Sequence, residues 1–399
     1  EAIAVSELER SRLSDRAEEQ IAQRIFDWSG SYTDTLTVKD SINNALTILH
    51  AGLLAIDPES GDVKAWVGGI DFKSQPYDQV LARRQLASVF KPVLYSAALE
   101  AGMEPCQYLD NDSVVLSGFD TWTPENYDHS YGGRYSLAGA LAQSMNVPTF
   151  SLYMLTGFDK VNTLWKALAF SFPLDNTPSL ALGTGEANIR EVAEAYSSFA
   201  NGGYRTRIRM INSIKTSDGK ILFSRHDEGR GERVITERTS LLMSAMLQKA
   251  IREGTGASMA SRFGLDISLA GKTGTSQNYS DAWFAAFTKG IVIVTRAGAS
   301  TRAVHFNNGS YGSGSTLALP LAALTLKRVA ADKALAKKYL QPFPPLPPEL
   351  EDALDCPDFR EKSFFDDIID AFQPRKTRSE DPQRIEKRIR SLIERIFRK

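Results

Sequence analysis

Ser88-Val89-Phe90-Lys91, Ser144-Met145-Asn146 and Lys272-Thr273-Gly274-Thr275 stand in this order along the chain, and any fold that uses them must carry all three to one place. Together they supply a serine nucleophile, a lysine base one helical turn away, a hydroxyl/amide pair and a cationic strand. That is equipment for making and breaking an acyl-serine ester. A Ser-x-x-Lys match alone is weak, since average usage yields about one per chain of this size. Lys-Thr-Gly-Thr is far rarer, roughly one chance hit per hundred such chains, so the argument leans on it and on context. Ser88 opens an apolar helical stretch, Ser144 follows a helical run ending Leu141-Ala142-Gln143, and Lys272 begins a segment rich in strand formers.

Each residue type has a reason to be there. Ser88 and Lys91, three apart, share one helix face. A serine hydroxyl becomes nucleophilic when a base takes its proton. Lysine serves as that base when burial or a neighbouring cation strips its charge, and Lys272 is the expected neighbour. Pro92 is tolerated only in a first helical turn, which puts Ser88 near a helix N-terminus. The backbone N–H groups of Ser88 and Thr275 are then the expected oxyanion donors. Ser144 can relay a proton to a leaving amine, and the Asn146 amide can hold a substrate peptide group through one donor and one acceptor. Lys272, Thr273 and Thr275 form a strand suited to a carboxylate, with Gly274 clearing space for substrate backbone.

Composition narrows the alternatives. The 399 residues are 42% hydrophobic and 24% charged with a formal net charge of −1, which supports a sizeable core and gives no argument for nucleic acid. The four histidines (His50, His129, His226, His305) are scattered and read as surface or hydrogen-bonded residues, with no metal expected. The two cysteines, Cys106 and Cys356, exclude a disulfide framework and leave room for one bridge. No apolar run is long enough for a transmembrane helix, and the charged start does not read as a signal peptide. The chain opens without methionine, so we expect a segment of a longer protein.

Residues 1–44 read as an amphipathic helix carrying Ile21, Ile25, Phe26 and Trp28, followed by a polar connector. A hairpin is expected over Leu46–Asp57 and Val63–Gly69, and helices over Gln85–Ala101, Leu137–Ser144, Val161–Phe170, Ile189–Asn201 and Val234–Ile251. Residues 105–135 read as a long loop lining a cleft, and strands are expected over Ser268–Thr275, Asp281–Phe287 and Ile291–Thr295. Strands at both ends with helices between predict an α+β domain over 45–335, its antiparallel sheet packed on helices. The proline run Pro342–Pro348 reads as an extended spacer ending the compact region, and 336–399 as spacer and charged tail, with a basic amphipathic helix over 382–399. A partner helix or solvated tail is the better reading of that helix than membrane contact.

At these residues the chain resembles the transpeptidase domain of class A, bifunctional penicillin-binding proteins, whose signature is this trio. The likeness runs over about residues 45–290: Ala51–Pro58 with Val67-Gly68-Gly69, Arg83-Arg84-Gln85, Pro124–Asp128, Asn146-Val147-Pro148, Ser179–Gly183, Phe199–Gly203 and Asp281–Phe284. Details around 40–80 look most like the Bacteroidetes branch. The resemblance implies a serine β-lactamase/DD-peptidase fold and attack by Ser88 on the D-Ala–D-Ala bond of a peptidoglycan stem peptide. It also implies acylation by β-lactams, no cofactor or metal, and an extracytoplasmic setting, with a membrane anchor and glycosyltransferase domain in a longer parent but none in this chain. Two local departures stand out. Leu86-Ala87 replaces the usual Pro-Gly before the nucleophile segment, and Val294–Gly298 departs from a Trp-Val-Gly-like pattern, which leads us to expect a remodelled outer sheet edge. A hydrolase (DD-carboxypeptidase or β-lactamase) and a penicillin-sensing module without turnover are the rival readings; no Glu stands where a deacylating base would be expected.

Overall fold

The computed structural model describes residues 2–27, 29–73, 75–113, 123–225 and 230–362. Its centre is a five-stranded antiparallel sheet built from strands β1 (His50–Ile56), β2 (Val63–Val67), β3 (Ala270–Thr275), β4 (Asp281–Phe287) and β5 (Val292–Gly298), in the order β3-β4-β5-β1-β2. The two ends of the sequence therefore meet where β5 pairs with β1, Val294 opposite Leu54. Side chains alternate across a strand, and here both faces are covered. Trp283, Ala285 and Phe287 of β4 enter one apolar core, while Ala282, Phe284 and Ala286 enter the other.

The larger core lies under a helical cluster: α1 (Lys91–Glu100), α2 (Leu137–Ala142), α3 (Asn146–Thr156), helix Phe158–Ala167, α4 (Ile189–Ala200) and α5 (Glu237–Arg252). The N-terminus of α4 is closed by a capping box in which Asn188 and Glu191 exchange side-chain and backbone bonds. The smaller core is roofed by α6 (Gly314–Ala331), which packs on β3, β4 and β5. The sequence reading assigns no element there, and α6 carries Pro320 in its interior, a residue that ordinarily argues against a helix.

Three expectations need correction. Residues 20–37 form a hairpin, Gln20–Asp27 against Gly30–Thr37, behind a short helix Ala2–Arg10, rather than an amphipathic helix carrying Ile21, Ile25 and Phe26. Ile21, Gln23 and Ile25 alternate, and Thr33, Thr35 and Thr37 recur at every second position, a strand period that outweighs the charge pattern. Trp28 lies outside the described residues. Second, β5 is the central strand and not an outer edge, so Arg296 stands in the middle of the sheet, fully buried and paired with Asp281. Third, the proline run does not end the compact region. Phe343 and Leu346 pack on the larger core, Leu350 is buried, Phe359–Arg360 adds a strand to Arg134–Ser136, and Cys356 is disulfide-bonded to Cys106. Residues 382–399 and His226 lie outside the described residues. Of the other histidines, His50 is buried with its Nε2 unpartnered, whereas His305 Nδ1 lies 3.0 Å from Phe306 O.

Candidate active site

The three motifs converge where α1, the α2–α3 junction and the open edge of β3 meet. Ala87–Phe90 is one turn of 3₁₀-helix running directly into α1, so Ser88 and Lys91 sit at the join with Pro92 in the first turn. Ala87 adopts φ +50°, a left-handed conformation that costs an L-residue about 1–2 kcal/mol. The turn is held by Ala87 N–H donating to Gly183 O at 2.9 Å, and by the Tyr196 hydroxyl donating to Val89 O at 2.9 Å.

Ser144 is presented by a helix stop. After α2, Ser144 takes φ +59°, its N–H donates to Leu141 O, and Met145 N–H donates to Ala140 O. This is a Schellman motif with serine where glycine is usual and buried Met145 as its hydrophobic contact. The next helix, α3, starts at Asn146 with no cap from Met145. Buried Asn126 supplies one from a distant loop: its Oδ1 accepts from the N–H of Asn146 (2.8 Å) and Val147 (3.1 Å).

Lys91 is fully buried, and its Nζ donates to Ser144 O (2.7 Å), Asn146 Oδ1 (2.8 Å) and Met145 O (3.1 Å), with Ser144 Oγ at 3.5 Å. Burial, reinforced by the Lys272 cation, holds its pKa well below the ordinary lysine range. Lys272 Nζ donates to Ser144 Oγ at 2.8 Å and to Thr273 O at 3.1 Å, and burial pushes its pKa down to about 7. Ser144 Oγ thus lies between two buried amines. No carboxylate pairs with either among the described residues.

The β3 edge completes the geometry. Ser276 N–H donates to Asp281 O, so the alternation of an antiparallel ladder leaves the N–H and C=O of Thr273 and Thr275 on the open side. Two expectations shift in detail. Gly274 makes room for protein and not for substrate, since a Cβ there would lie 2.9 Å from Leu86 O and from Val89 Cγ2. The Asn146 carboxamide already accepts from Lys91 and donates to Glu125 O at 2.7 Å, so its role begins with positioning the lysine. The Thr273 hydroxyl donates to Thr255 at 2.6 Å, while the Thr275 hydroxyl accepts from Gly314 N–H at 2.9 Å and keeps its own proton for a ligand.

Sequence reasoning placed Ser88, Lys91, Ser144, Asn146, Lys272, Thr273, Gly274 and Thr275 in one site; the structure links Lys91, Ser144, Asn146 and Lys272 by hydrogen bonds and packs the turn that carries Ser88 against the strand that carries Lys272, Thr273, Gly274 and Thr275. It gave no role to Asn126, Thr255 or Tyr196, whose contacts with the site join residues 18 or more apart in sequence.

Comparison with known proteins follows the same lines. A profile of the Penicillin binding protein transpeptidase domain matches residues 51–295. Penicillin-binding protein 1A of Neisseria meningitidis is 35% identical over 283 residues, 69% of this chain and 35% of that protein. Penicillin-binding protein 1B of Vibrio cholerae is 34% identical over 245 residues, 59% of this chain and 31% of that one. The chain thus spans about a third of the length of these relatives. Among solved structures, penicillin-binding protein 1A from Haemophilus influenzae superposes with a TM-score of 0.66 at 22% identity, covering 79% of this chain and 58% of that one. PonA1 from Mycobacterium tuberculosis gives 0.63 at 23% identity, covering 74% and 80%; both share the fold. With its three motifs inside the matched span, the chain belongs to the penicillin-binding protein transpeptidase domain family, on the class A side.

Proposed function

We propose that this chain is a serine D,D-transpeptidase that cross-links peptidoglycan stem peptides and is acylated by β-lactams at Ser88. The observation that carries the reading is the Lys91–Ser144–Lys272 chain, two buried amines with depressed pKa values on either side of one hydroxyl. Lys91, as a neutral amine, takes the Ser88 proton while Ser88 Oγ attacks the carbonyl carbon of the penultimate D-Ala. The oxyanion faces the N–H groups of Ser88 and Thr275. The proton passes through Ser144 Oγ to the departing D-Ala nitrogen as the peptide C–N bond breaks, leaving the acyl-serine ester. An acceptor amine then attacks that ester, and the same relay runs in reverse. Lys272 in its cationic form and the Thr275 hydroxyl hold the terminal carboxylate, while Asn146 holds Lys91.

The setting is extracytoplasmic, where such peptides lie. The Cys106–Cys356 bridge supports this, because disulfides persist in oxidising compartments. The greater length of the relatives supports a parent that also carries a glycosyltransferase domain and a membrane anchor. No helix among the described residues is long and apolar enough to cross a membrane.

Intact-mass spectrometry after incubation with benzylpenicillin tests the reading, with wild type beside Ser88→Ala. A stable adduct of one drug per chain, absent from the variant, is expected. Rapid return to the unmodified mass with hydrolysed drug would favour a β-lactamase. No adduct and no drug loss would sink the acyl-serine reading.

A further inference from the structure

Two contacts between the walls of the cleft matter here. At the floor, Ser144 Oγ and Lys272 Nζ join at 2.8 Å. The second meeting is made by Tyr127. Its neighbour Asn126, 1% exposed, is tied to the first wall through Asn146 N and Val147 N and donates to Asn111 Oδ1 and Ser130 O, both at 2.7 Å. Tyr127 itself is 69% exposed and reaches Gly309, where a Cβ would lie 2.1 Å from the tyrosine hydroxyl. Gly309 belongs to the other wall, one short turn before Gly314, whose N–H donates to Thr275 Oγ1. Phe306, just upstream, donates its N–H to Tyr279 O on the turn that follows β3. A rigid anchor therefore carries an exposed ring across to a glycine on the far side.

Resting on the proposed acylation of Ser88, we propose that Tyr127 is a gate over the cleft and Gly309 its seat, so that a donor peptide or β-lactam reaches Ser88 when the ring leaves that seat. Glycine at 309 is what admits the hydroxyl; any side chain there occupies the same space. The gate lowers the observed acylation rate by the fraction of time the site is open. Removing the ring and filling its seat are then two ways of reaching one state.

The test is the second-order rate constant of acylation by a fluorescent penicillin for wild type, Tyr127→Ala, Gly309→Ala and the double variant, with thermal melting as a check on folding. Each single variant is expected to raise the rate about threefold to tenfold, and the double variant to match the faster single one, because both act on the same contact. A Tyr127→Ala rate equal to or below that of wild type, with Gly309→Ala also no faster, would overturn the gate, as would effects that multiply in the double variant. If Tyr127→Ala does not fold, Gly309→Ala decides alone: faster acylation supports the gate and an unchanged or slower rate removes it. Wild type that forms an adduct with none of these accelerations sinks the gate and leaves the acyl-serine reading standing; wild type with no adduct removes both.

Discussion

Two groups of charges are buried along the same sheet, and they are built on opposite rules. On β4 and β5, Arg296 donates to Asp281 through Nε (2.8 Å) and Nη2 and to Gln79 Oε1 through Nη1 (2.9 Å), with Arg84 3.6 Å from the same carboxylate. Burial pulls the Arg296 pKa down while Asp281 pulls it back up, and the cation survives. At the β3 edge, Lys91 and Lys272 are as deeply buried, yet they face carbonyls, an amide oxygen and a hydroxyl. Without a counter-charge, burial drives both pKa values down. A counter-ion makes a buried charge a structural element; its absence makes the group a titratable reagent.

Exchanging or deleting the charges should separate the two rules. Lys91→Met removes the base, and acylation of Ser88 should slow by about 10²–10⁴-fold with little loss of melting temperature, since the cost of burying an amine without a counter-charge goes with it and offsets its three lost hydrogen bonds. Fluorescent-penicillin kinetics beside a thermal melt would show this, and near-normal acylation would place the base elsewhere. Asp281→Ala should do the reverse, costing about 3–5 kcal/mol of stability by leaving Arg296 buried and unpaired; urea unfolding measures it. Were Asp281→Ala harmless to stability, the contrast between the clusters would collapse.

The third effect is on pH. Lys272 titrates near 7 when folded against 10.5 as a free side chain. Below about pH 7 both folded and unfolded chains carry the proton, and the burial penalty is fully present. Between about 7 and 10.5 the unfolded chain holds a proton that the folded site has lost, so stability rises with pH across that window. Lys272→Met should flatten that rise by about 3–4 kcal/mol in unfolding measured at pH 7 and pH 10; an unchanged slope would mean that Lys272 is not depressed. The smallest effect is local. Ala87→Gly should relieve the left-handed strain before Ser88 and stabilise the fold by about 0.5–1 kcal/mol after glycine's own entropy cost. A lower melting temperature for that variant would contradict the strain argument.

The sequence was most legible where one residue type had one physical job. The strand formers of β3 and β4 and the glycines after α4 declared themselves, as did the serine–lysine spacing at the start of α1. It was least legible where tertiary contacts override a local signal. Ser144 ends α2 in the conformation that usually announces itself with glycine, so the turn that presents its hydroxyl was hidden. Pro320 disguised α6, whose apolar face is held by the sheet. Asn126 caps a helix twenty residues away, and no window of sequence contains both partners. Arg296 looked like an edge residue because the strand order that makes β5 central is set by long-range pairing.

The bridge between Cys106 and Cys356 also gives the molecule a clock. The two sulfurs are separated by 250 residues. At synthesis rates of about 5–20 residues per second, the first thiol waits on the order of 10–50 s before its partner exists. Throughout that interval Cys106 is an unpaired thiol on an unfinished domain, and the segment from Pro342 to Arg360 has not arrived to close over it. The bond is therefore a mark of completion, formed only once the segments around Cys106 and Cys356 have both been made and have found each other.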